Sequence, residues 1–135
     1  MNDDSSLLAQ TLLERARHDA MAVKKFCGDE DLAEEIIGFH AQQATEKSIK
    51  AVLAMNRVHF RKTHDIAALV QLCLDHRIDV PERLMDEDKL TDFAVDQRYG
   101  FGYESPGLEI DGPALVKRLY EIVDWAAKIV GVKND

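Results

Sequence analysis

Apolar residues return every three or four positions along most of this chain, the period of an amphipathic helix with one face on a core. The first such stretch runs from about Ser6 to Cys27, with Leu8, Leu12, Ala16, Ala20 and Val23 on one stripe. The Ser5-Ser6 pair is placed to cap it. A second helix is predicted from about Asp31 to Met55, where alanine, glutamate, lysine and leucine reinforce the pattern. The segment "RVHFRKTHD" breaks the period, and a third helix follows over about Asp65 to His76, carrying Ile66, Leu69, Val70 and Cys73. Asp79 and Pro81 signal the start of a fourth, over about Pro81 to Arg98. "YGFGYESPGLEIDG" reads as a loop from its glycines and proline. Asp111 and Pro113 then open a fifth helix with a stripe of Leu115, Leu119, Ile122, Ala126 and Ile129. No strand pattern and no repeat emerges. Short linkers favour antiparallel neighbours, so the predicted fold is all-α: an antiparallel up-and-down bundle of four to five helices, one domain over residues 1–135.

The second helix holds the most polar chemistry, in "FHAQQATEKSIKAVL". Gly38, Ala41, Thr45 and Ser48 recur at three and four, and small side chains there admit a close neighbouring helix. Glu46 and Lys50 stand at i,i+4 in the favourable order, as an exposed surface pair would. His40, Gln43 and Lys47 form a polar line on another face. By spacing alone that line is a solvated or interfacial edge. It contains no HExxH, no second ligand pair at i,i+4 and no glycine-rich phosphate loop, so neither a metal nor a cofactor is expected.

Composition narrows the class. In 135 residues, 46% are hydrophobic and 31% charged, as in a soluble globular domain. No apolar run approaches the roughly 20 residues that span a bilayer, so no membrane association is expected. "MNDDSSLLAQ" lacks the basic flank and apolar core of a secretory leader, so a cytoplasmic location is expected. Cys27 and Cys73 stand alone within helical segments and read as free thiols in packed surroundings. The net charge of −8 opposes bulk binding to nucleic acid. The local exception is "NRVHFRKTH", Asn56 to His64, with Arg57, Arg61 and Lys62; a solvated inter-helix loop is the simpler account of it.

Motif order adds what composition cannot. "FHAQQATEKSIKAVL", then "KTHDIAALV", then "RYGFGY" at the end of a later helix resembles the HEPN family, the higher eukaryotes and prokaryotes nucleotide-binding domain. The likeness covers roughly Leu8 to Val130. It implies a bundle of four or five antiparallel helices that commonly dimerises. It also implies a frequent partner, a minimal nucleotidyltransferase encoded beside it, the two acting as toxin and antitoxin. Some members cut RNA with an arginine followed by four to six residues and a histidine. Here the matching arginine is Arg98, and the three positions for the histidine hold Tyr103, Glu104 and Ser105. No catalytic residue is therefore assigned. The same spacing occurs from Arg57 to His64, but about one such pair is expected by chance, and it lies in the wrong connection.

On this resemblance Arg98 would grip a phosphate with its planar fork while Tyr99 or Tyr103 stacks or hydrogen-bonds beside it. His40, Gln43 and Lys47 would line the same cleft, because the family fold brings the second helix against the end of the fourth. The competing reading pairs Arg98 with Asp92 or Asp96 and packs the aromatics over the end of the bundle. His64 reads as structural, Asp65 as favoured at a helix start, and Trp125 as core or dimer packing. The expected function is a non-catalytic nucleotide- or RNA-associated module, homodimeric, beside a nucleotidyltransferase. An RNA-cutting toxin with an altered active site is the alternative. Tyr103 is also the nearest match to a tyrosine that some partners modify with AMP.

Overall fold

The computed structural model describes residues 4–29, 31, 34–85 and 112–131. These form α1 (Asp4–Phe26), α2 (Glu34–Met55), α3 (Ile66–Asp75), α4 (Glu82–Met85) and α5 (Gly112–Val130). No strand occurs among the described residues. The all-α expectation holds. The fourth predicted helix beyond Met85, the "RYGFGY" segment, and with them Arg98, Tyr99 and Tyr103, lie outside the described residues.

α1 and α2 form an antiparallel hairpin: Phe26 at the end of α1 meets His40 near the start of α2, while Leu8 shares a groove with Ala54. Both helices bury short side chains, Ala9, Ala16 and Ala20 on α1 and Gly38, Ala41, Ala44, Ser48 and Ala51 on α2. With so little bulk between them the axes can approach closely, and this is the most extensive helix pairing among the described elements. α5 packs on both with larger residues, burying Leu115, Leu119, Ile122 and Val123. α3 closes on α2 with Ile66, Leu69, Val70 and Cys73. A Cβ added at Gly112 would come within 3.1 Å of the Cys27 Cβ, so a glycine there lets the start of α5 lie against the end of α1.

Two expectations at α1 need correcting. The described helix already includes Asp4, so Ser5 and Ser6 sit inside it rather than capping it. Its buried stripe is Ala9, Leu13, Ala16, Ala20 and Val23, one position on from Leu8 and Leu12. Leu8 is exposed and Leu12 half-buried. Both stripes obey the same period, and a small helix rotation exchanges them. On α5 the stripe stands, with Val123, Ala127 and Val130 added and Ile129 at its margin.

The ends of α2 and α3 are built alike. Val58 N–H donates to the Leu53 carbonyl and Arg57 N–H to that of Ala54; Ile78 and Arg77 repeat the pattern onto Cys73 and Leu74. Each is a Schellman closure, which needs a left-handed residue at the turn. Arginine fills that place both times, at φ 59° for Arg57 and 60° for Arg77. Asp65 caps α3 as expected, accepting from Ala68 N–H at 3.1 Å. α4 opens at Glu82, one residue after Pro81, whose carbonyl accepts from Leu84 N–H.

Candidate functional site

α2 is buried on all sides but one. Its uncovered face carries Ile36, Phe39, His40, Gln43, Lys47 and Lys50, half-buried or exposed, at spacings that keep them in line along the helix. α1 flanks one side of this line. The connection from α2 to α3 flanks the other.

On the α1 side, Asp19 organises the site. Its two carboxylate oxygens are divided between α2 residues: His40 Nδ1 at 2.9 Å from Oδ1, and Lys47 Nζ at 2.8 Å from Oδ2. A carboxylate only accepts, so the His40 proton on this side sits on Nδ1. Nε2 is then the nitrogen that can meet a ligand. The Asp19 side chain is 13% exposed, against 29% for His40 and 24% for Lys47. The acid is therefore sunk between helices, and its two partners reach the surface. The rings of Phe26 and Phe39 meet the imidazole edge-on, at centroid distances of 5.7 and 5.5 Å. This gives His40 an apolar collar and a fixed orientation. Gln43 is half-buried on the same face.

A second acid holds the other flank. Glu46 is 3% exposed. Its Oε2 accepts from Lys50 Nζ at 2.9 Å, and its Oε1 lies 2.8 Å from His64 Nδ1. Gln42, also buried, donates to the His64 carbonyl at 3.0 Å. The Glu46–Lys50 pair is thus no exposed surface pair. It is the base of a clamp on the α2–α3 connection that the largely exposed His64 completes, and it satisfies the buried Glu46. His64 is structural, as expected, with a partner on α2. Lys50 Nζ also stands 5.9 Å from the centroid of the Phe60 ring.

The expected site residues thus divide. His40 and Lys47 come together through Asp19, and Gln43 shares their face. Asp19 itself was not anticipated. The available signal was an acid flanked by the buried Ala16 and Ala20 of α1, where a solvated carboxylate has no reason to sit. Trp125 is half-buried, and its indole N–H donates to the Asp79 carbonyl at 3.0 Å, tying α5 to the segment before α4. Cys73 is fully buried and Cys27 partly so; both thiols are free. Burial raises both, Cys73 up to about 11. Among the described residues no group of three or more His, Cys, Asp or Glu side chains is arranged to hold a metal. No described helix is long and apolar enough to cross a membrane.

Compared with known protein families, residues 9–130 match the model described as HEPN domain. No curated protein and no solved structure matches the chain.

Proposed function

Starting from the premise that this chain belongs to the HEPN domain family, which residues 9–130 establish, we propose that it is a non-catalytic, nucleotide- or RNA-associated module whose ligand site is the uncovered face of α2. The observation that carries this reading is the Asp19-held pair of His40 and Lys47, fixed in orientation and presented at the surface. The same geometry assigns the labour. Asp19 already balances Lys47, so this cluster orients and hydrogen-bonds, and most of the charge for a phosphate has to come from elsewhere. Arg98, with Tyr99 or Tyr103 beside it, supplies that role in this reading. A minimal nucleotidyltransferase as partner, a toxin–antitoxin role, a homodimer and a cytoplasmic location complete the proposal.

The experiment is a pair of measurements on Arg98→Ala and Lys47→Ala: binding of AMP and of fluorescein-labelled single-stranded RNA, and thermal stability. A charge-assisted hydrogen bond contributes about 1.5–3 kcal/mol, so Arg98→Ala should weaken binding by about tenfold or more with little change in Tm. Lys47→Ala should lower both, because Lys47 also satisfies Asp19. A fall in Tm for Arg98→Ala with binding intact would remove Arg98 from the site.

One observation favours the RNA-cutting alternative. Asp19 holding His40 Nδ1 is the arrangement by which a carboxylate orients an imidazole for proton transfer. The proposed reading expects no RNA cleavage above background in a metal-free assay. Cleavage abolished in both His40→Ala and Arg98→Ala would establish the alternative.

A further inference from the structure

Between the start of α1 and the end of α2 lies a groove of about 350 Å³, bounded on its third side by the connection to α3. Leu8, Ala54, Val58 and Phe60 give it apolar walls, and Arg57 and His59 stand exposed at its margin. The small side chain of Ala54 leaves open a space above α2 that a larger one would fill. Leu8, left out of the core by the displaced stripe of α1, is 46% exposed and supplies a wall. Ala54 is 14 residues on from His40, or about 21 Å along an α-helix, so the groove is separate from the Asp19 cluster.

The charge around the groove departs from that of the chain. Residues 56–62 hold Arg57, Arg61 and Lys62 and no acid, in a protein of net charge −8. Arg61 and Lys62 are both exposed. Two features oppose an anion here. Asp4 lines the far side of the groove, but it is exposed, where water and salt screen it. The carbonyls at the end of α2 point the same way. Those of Leu53 and Ala54 are already engaged by the N–H groups of Val58 and Arg57.

We propose that this groove binds a small monocarboxylic acid with an apolar body, of the medium-chain fatty acid class, its chain against Leu8, Val58 and Phe60 and its carboxylate at Arg57 and His59. The proposal is independent of the nucleotide reading and leaves the uncovered face of α2 open. Apolar walls with a basic margin call for an amphiphile with a negative head. A nucleobase would set its polar edge against Leu8, Ala54 and Val58, which offer it no side-chain partner. The volume is at the lower end for a small-molecule pocket. The depression closes within eight lining residues, so it takes one short body rather than an extended segment of another chain. A bound acid ties the start of α1 to the α2–α3 connection, the segment that Glu46 holds through His64.

Calorimetric titration with octanoate, kept below the concentration at which it self-associates, tests this against octanol, octylamine, acetate and AMP. Octanoate should bind saturably, one per chain, and raise Tm. Affinity should rise by about two- to fourfold for each methylene from butanoate to octanoate, and acetate should not bind. Octanol should bind about tenfold more weakly than octanoate, and octylamine more weakly still. AMP should not compete. Leu8→Glu should abolish binding, and Arg57→Gln should bring octanoate down to the level of octanol while leaving octanol unchanged, each protein folded by circular dichroism. Arg57 makes contacts of its own. Arg61→Gln with Lys62→Gln, which alters exposed side chains, is therefore the second charge variant and should weaken octanoate but not octanol. No saturable octanoate binding would overturn the site. Equal affinities for octanoate and octylamine, or no dependence on chain length, would overturn the assigned ligand class. Displacement of octanoate by AMP would place the nucleotide in the groove and overturn the proposal. So would an octanoate affinity that falls as protein concentration rises, which would put a second copy of the chain there.

Discussion

Asp19 shows how much of this site depends on a residue that no motif marks. It lies on α1, yet it fixes the position of two α2 side chains through its two oxygens. Asp19→Asn keeps the shape and removes the charge. With partners that reach water, the loss should be about 1 kcal/mol, near the low end for charged hydrogen bonds. At this chain length that is a drop of about 3–5 °C in Tm, readable by calorimetry. Ligand binding should fall with it, because His40 loses the carboxylate that sets its tautomer. Cys73 offers a test of a different kind. Burial holds its thiol up to about 11, above its ordinary value. Between the unfolded and folded values the native state retains a proton that the unfolded chain releases. Stability is therefore unaffected by this group below about pH 8.5, and above it falls by up to about 1.4 kcal/mol per pH unit until the folded value is passed. Urea titrations at pH 8 and pH 10 should show that slope, and Cys73→Ser should reduce it, leaving the contribution of the partly buried Cys27. None of these long-range partnerships was legible in the sequence. Period places a residue on a face, but it does not say which residue from another helix arrives there.

At the level of the elements, most of the fold was legible. α2, α3 and α5 appear within a few residues of where periodicity and caps set them, because their apolar spacing and their terminal residues agree. The stripe on α1 was displaced by one position, since Leu8-Ala9 and Leu12-Leu13 offer two equally periodic choices. Only packing against α2 selects between them. The helix ends held a further surprise: arginine where a Schellman turn favours glycine. A left-handed backbone costs a side-chain-bearing residue about 1–2 kcal/mol, and glycine gives back part of that through greater unfolded-state entropy. Arg77→Gly should therefore raise stability by about 0.5 kcal/mol, seen as a higher urea midpoint with the m-value unchanged. Arg57 carries the same left-handed backbone at the end of α2.

Across the whole molecule, α2 is the element that touches the most others: α1, α3 and α5 among those described. Its buried polar residues Gln42 and Glu46 are engaged by the α2–α3 connection, so neither can leave its place while that connection stays docked. Amide exchange should accordingly be slowest in the middle of α2, at the free energy of global unfolding, with the first turn of α1 and the end of α5 exchanging by local opening. An α2 that exchanged faster than α3 would show that the hub is elsewhere. The short-residue seam between α1 and α2 has a consequence for how such a chain can change over generations. Where alanine and serine meet alanine, there is no slack to absorb a methyl group, so an enlarging substitution on one helix is tolerated only with a reduction on the other. In a library of paired variants, the survivors at Ala16, Ala20, Ala41 and Ser48 should keep a nearly constant summed volume, and their identities should be correlated rather than free.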